Sequence, residues 1–91
     1  MAALPVLMRP DEIVDVKRAA DHARKSDKTI RRWVAEFGIA RQATQRAPLE
    51  ISLPALEMVL HGDLAALEML RAGQRSAPEV RRYMEFLGLS G

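Results

Sequence analysis

Apolar residues recur every three or four positions over much of the chain, the spacing of helices that bury one face. The sharpest case begins at Ser26 and ends at Gly38. Ile30, Trp33, Val34 and Phe37 stand at i, i+3, i+4 and i+7 on one helical face, while Lys28, Arg31, Arg32 and Ala35 fall on the other. Ser26 or Asp27 is suited to cap the start with a side-chain oxygen, and Gly38 to end the helix in the left-handed conformation. Such a helix has about 11 residues and is ~16 Å long. It is long enough to lie in a DNA major groove, which is about 12 Å wide.

The same reading places the other elements. Ile13, Val16, Ala20 and Ala23, with Ala19 beside them, predict a first helix over 13–24 that Asp11 and Glu12 would open. Its small residues let a neighbouring helix approach closely. The link Arg24-Lys25-Ser26 is short, so the two helices form a helix-turn-helix candidate, although the usual turn glycine is missing. Residues 1–12 contain two prolines and no periodicity, and read as an extended lead-in with Leu4, Val6 or Leu7 available to dock on the core.

Past Gly38 the period shortens. Ile39-Ala40-Arg41-Gln42-Ala43-Thr44 and Leu49-Glu50-Ile51-Ser52 read as short strands around Gln45-Arg46-Ala47-Pro48, a small hairpin whose alternative is an irregular loop. Ser52, with Pro54 in the first turn, starts a further helix with Leu56, Val59 and Leu60 inward and Gly62 as its stop. Asp63 caps a helix over 64–72 that turns Leu64, Leu67 and Leu70 inward. Ser76-Ala77-Pro78-Glu79 matches a capping box for a last helix over 77–87, with Val80, Tyr83, Met84 and Leu87 as its stripe. Tyr83, Phe86 and Leu89 spread beyond a single stripe and make a candidate self-association surface. The expected fold is mainly α with a small β-hairpin. It comprises a lead-in over 1–12, a DNA-binding unit over 13–62, and two C-terminal helices over 63–91 that pack on it or mediate self-association.

Composition narrows the function. The 91 residues make one small domain, and with four aromatic residues the core is aliphatic. There is no cysteine, which excludes disulfides and thiol catalysis. No apolar run reaches the ~18 residues of a membrane span, and the first eight residues make a poor signal peptide, so a cytoplasmic protein with no membrane partner is expected. The net charge is +2, unevenly placed. Residues 17–46 carry nine basic side chains against Asp21, Asp27 and Glu36, a net +6; residues 47–91 carry four basic against six acidic, a net −2. A basic half joined to a mildly acidic one points to a polyanion-facing surface and a separate supporting region.

Catalytic sets are missing. His22 and His61 stand alone in sequence, and there is neither a glycine-rich phosphate loop nor a metal-binding spacing. No enzyme, metal or cofactor is expected. The basic face gains meaning from its residue types: arginine suits bidentate contact with guanine, and Thr29 beside it can donate to phosphate or base.

The run Ser26-x-x-Thr29-Ile30-Arg31-Arg32-Trp33-Val34, then Gly38-Ile39, then the hairpin and Ile51-Ser52-Leu53-Pro54-Ala55-Leu56, resembles the winged helix-turn-helix of the MerR/excisionase superfamily. Within it, the chain is most similar to excisionases, or recombination directionality factors, of phages and integrative elements. The resemblance covers roughly residues 13–60. MerR-like regulators and some phage terminase small subunits share the pattern. Ala23-Arg24-Lys25 departs from it, standing where the superfamily often has a Leu-Gly-Val type of turn, and so do the helices after Gly62.

The resemblance implies that Lys28, Thr29, Arg31 and Arg32 face the major groove, that Lys25 and Ser26 contact phosphate, and that Arg41, Gln45 and Arg46 belong to a wing near the minor groove. It implies double-stranded DNA as partner (attachment-site direct repeats or an operator), a tyrosine or serine integrase, and a homo-oligomer on DNA in a bacterial or phage nucleoid setting. The expected role is DNA bending that promotes excision. The alternatives are a small transcriptional regulator and a protein-binding adaptor that uses the C-terminal helices.

Overall fold

The apolar repeats fold into five helices around a three-stranded sheet in a computed structural model that describes residues 4–89. Strand β1 is Ile13–Val14, β2 is Ala40–Arg41 and β3 is Glu50–Ser52. Helix α1 is Val16–Ala23, α2 Asp27–Phe37, α3 Leu53–Leu60, α4 Leu64–Arg71 and α5 Pro78–Phe86.

The expected hairpin forms with shorter strands and gains a third. β2 and β3 run antiparallel, with Ala40 opposite Ile51 and Arg41 opposite Glu50. β1 takes the other edge of β3, with Ile13 opposite Ser52 and Val14 opposite Ile51. Ile13 therefore belongs to the sheet and not to the first helix. Helix α1 starts later because Asp15 caps it, accepting from the Arg18 N–H at 2.8 Å. Asp11 and Glu12 lie instead in the 3-10 turn Pro10–Glu12 ahead of β1. Two adjacent β-branched residues, Ile13 and Val14, suit an extended backbone better than a helix start.

Helix α3 is the centre of the molecule. Every residue from Pro54 to Val59 is buried, so the stripe expected of Leu56 and Val59 is in fact a helix covered nearly all round. It packs against α1, α4, α5 and β3. Ala19, Ala20 and Ala23 bring α1 close to α2 and α3. One core takes in Val6, Ile30, Ile39, Ile51, Leu56, Leu67, Leu70, Val80 and Met84, so the last two helices share the interior of the preceding residues. Leu64 is a correction: expected inward, it is 48% exposed. So is the start of α5, where Ala77 and not Ser76 occupies the cap position and Pro78 opens the helix.

The segment before β1 is fixed by more than hydrophobic contact. Val6 is buried while Leu4 and Leu7 are exposed. The Glu12 carboxylate has no exposed surface. Its Oε2 accepts from Arg75 Nη1 at 2.7 Å and its Oε1 from Arg75 Nη2 at 2.8 Å. Arg75 Nη2 also donates to the Leu7 carbonyl at 2.8 Å. Burial pushes the Glu12 carboxyl up, but hydrogen bonds from Arg75 and the Arg9 N–H, with the two guanidinium charges, outweigh it and hold the group below its ordinary value.

Candidate nucleic-acid interface

Helix α2 is capped at both ends. Ser26 Oγ accepts from the Thr29 N–H at 3.1 Å and donates to Thr29 Oγ1 at 3.1 Å. Of the two cap candidates, Ser26 is thus the one used, and the Thr29 hydroxyl receives a local bond. Gly38 ends the helix at φ 64°, its N–H reaching the Val34 carbonyl. Ile30 is fully buried, and Trp33, Val34 and Phe37 pack half-buried against the core. The opposite face carries Lys28, Arg31 and Arg32, all exposed.

A second layer holds this helix in place from a distance. The Arg71 guanidinium, on α4, donates from Nη2 to the Phe37 carbonyl and from Nη1 to the Gly38 carbonyl at 3.3 Å and the Leu4 carbonyl at 3.1 Å. Its Nε donates to Glu68 Oε1 at 3.1 Å, and its side chain is 8% exposed. A cation placed on the unpaired carbonyls at a helix C-terminus also favours the helix dipole. Arg71 and Arg75, four residues apart, thus secure α2 and the segment before β1. Neither had a sequence signal, because their partners lie 34 and 63 residues away.

The expected site residues divide into groups. Lys25 and Ser26 precede α2, and Lys28, Thr29, Arg31 and Arg32 lie on its first two turns. Thr29 is half-buried and the other five are exposed. Among the described residues, Lys25, Lys28, Arg31, Arg32 and Arg46 form no ion pair with one another's neighbours or with any acid. Arg41 is different: its Nε donates to Glu50 Oε1 at 2.9 Å across the β2–β3 pair, so its charge is already offset. Gln45 and Arg46 sit in the exposed turn closed by the Ala47 N–H on the Thr44 carbonyl at 3.1 Å. Gln42 braces that turn, donating to the Gln45 carbonyl at 3.2 Å and the Ala47 carbonyl at 2.6 Å. Only Gly38 and Ile39 separate the end of α2 from β2, so helix and hairpin follow in one continuous run.

The expected self-association trio is unequally exposed: Tyr83 and Phe86 line one surface pocket, but Tyr83 presents little of itself there. Tyr83 is buried and donates its hydroxyl to Asp63 Oδ2 at 2.7 Å. Leu89 packs partly on the core, and Phe86 alone projects, 71% exposed. Burial, and then the Asp63 carboxylate, pushes the Tyr83 phenol up to about 12; the same hydroxyl, with the Ala66 N–H, lowers Asp63.

The histidines, isolated in sequence, meet on one carboxylate. Glu57, buried on α3, accepts from His22 Nε2 at 2.7 Å and from His61 Nε2 at 2.9 Å. A carboxylate only accepts, so each Nε2 carries its hydrogen there. The cluster ties α1 to α3 and satisfies an acid inside an apolar helix. Glu57 within an otherwise apolar run, with His61 one helical turn on, was its one sequence signal. Among the described residues, no three acid, histidine or cysteine side chains are placed to hold a metal ion, and no helix is long and apolar enough to cross a membrane.

No family model, curated protein or solved structure matches the chain.

Proposed function

We propose that this protein binds double-stranded DNA through α2 and the β2–β3 turn, as a bending factor of excisionase type. What carries the reading is the face of α2. Lys28, Arg31 and Arg32 stand exposed, without ion pairs to other described residues, on a helix capped by Ser26 and anchored along its apolar face and at its C-terminal end. A surface built only for solubility does not require so rigid a mount, whereas groove binding gains from preorganised cations. Arg46 on the braced turn supplies a further cation, suited to a narrow minor groove. The excisionase role itself rests on the sequence resemblance. Several copies would sit on direct repeats and bend the DNA, and a tyrosine or serine integrase would perform the strand exchange.

The test is binding to duplex DNA with salt titration, followed by footprinting on candidate attachment-site repeats. Affinity should fall steeply with salt. Arg32→Ala should weaken binding to the specific site by about 1–3 kcal/mol while the fold is kept. Protection of direct repeats supports the bending factor, and protection of a palindromic operator supports the regulator instead. Salt-independent or undetectable binding would leave the basic face as solvated surface and overturn the proposal.

A further inference from the structure

We infer that Arg24, in the turn between α1 and α2, is a phosphate-contacting residue, an inference that rests on the DNA-binding reading above. Arg24 is the one non-glycine residue with positive φ among the described residues, at φ 57° and ψ 43°. Its own N–H and that of Lys25 both reach the Ala20 carbonyl, so the backbone here is fixed in the left-handed region. That region crowds Cβ against the following carbonyl; glycine avoids the clash, and asparagine tolerates it. As the C-cap of α1, Arg24 sits where a cation favours the helix dipole, but no described side chain pairs with its guanidinium. The side chain is exposed, and neither Asp21, one turn earlier on α1, nor Asp27, at the start of α2, forms an ion pair with it. Arg24 is followed by Lys25 and stands four residues before Lys28, at the edge of the exposed basic face of α2. A cation held at a position that prefers glycine, unpaired among the described residues and bordering the proposed interface, fits a ligand outside the chain. A phosphodiester is the anion that such an interface supplies.

The position permits a test in which structure and function move in opposite directions. Arg24→Gly removes the charge and relieves the backbone, so the urea midpoint should hold or rise. Arg24→Asn removes the charge with a second left-handed-tolerant side chain, and Arg24→Lys keeps the charge. Each is measured by fluorescence anisotropy on a labelled duplex of mixed sequence, over a range of salt. Arg24→Gly and Arg24→Asn should each lose roughly threefold to tenfold in affinity, and the slope of log K against log salt should flatten by about 0.9, one phosphate contact. Arg24→Lys should retain the wild-type slope. Wild-type affinity and slope in both neutral variants would overturn the inference while leaving the DNA-binding reading intact. Failure of the wild-type chain to bind duplex DNA would overturn both.

Discussion

Replacing Glu12 by alanine should cost this domain about 3–5 kcal/mol, the range for breaking one partner of a buried ion pair. The structure says why the loss falls there and not near zero. Glu12 has no exposed surface, and both its oxygens are taken by Arg75 in a fork at 2.7 and 2.8 Å, with the Arg9 N–H on Oε1 at 3.3 Å. In the variant, the Arg75 guanidinium, whose side chain is 19% exposed in the wild type, keeps only the Leu7 carbonyl of these partners. Domains of this size have total stabilities of roughly 5–14 kcal/mol, so the loss is a large fraction. The assay is urea unfolding followed by circular dichroism, with thermal unfolding beside it; a drop of ~12 °C or more in Tm is expected. The pair also sets an acid dependence. Because Glu12 is held below its ordinary carboxyl value of 4.5, its contribution is complete above pH 4.5 and is lost as pH falls through the lower folded value. The wild type should therefore lose stability in acid more steeply than Glu12→Ala. A Glu12→Leu, Arg75→Met double variant should recover part of the loss, since neither charge is then left unpaired. A loss under about 1 kcal/mol for Glu12→Ala, the value of an exposed pair, would refute the reasoning.

Two further outcomes are expected. Gly38→Ala should destabilise by about 1–2 kcal/mol, because φ is +64° and the new Cβ would stand 3.3 Å from Arg71 Nη1; an unchanged urea midpoint would mean that α2 ends differently. Tyr83 is the one tyrosine, so an absorbance titration reads it directly: the phenol should ionise near about 12, and the stability it confers should be complete below pH 10 and fade as pH rises toward that value. Ionisation near the ordinary 10 would place the hydroxyl in water and away from Asp63.

What the sequence alone determined is local. The faces of α2, its Ser26 cap and its Gly38 stop are written within a few residues, because helix periodicity and capping act over one turn. The hairpin and the caps of α3 and α4, Ser52 and Asp63, were legible for the same reason. The start of α1 was not, because Ile13 continues the apolar repeat as well as a strand does, and only pairing with Ser52 on β3 decides between them. Tertiary structure alone decided the long-range polar contacts: Glu12 with Arg75, Arg71 on the end of α2, and His22 with His61 on Glu57. On α5 the apolar stripe already turned Tyr83 inward and left Phe86 outside, and the fold added Asp63 as the partner of the Tyr83 hydroxyl. The physical reason is common to these cases. A buried charge or hydroxyl must find a partner, and which partner is near depends on the path of the chain between them, which no short window of sequence contains. For the candidate interface, the sequence specified which cations share a face and how the helix bearing them is capped, and the fold determined that Arg71 braces its C-terminal end.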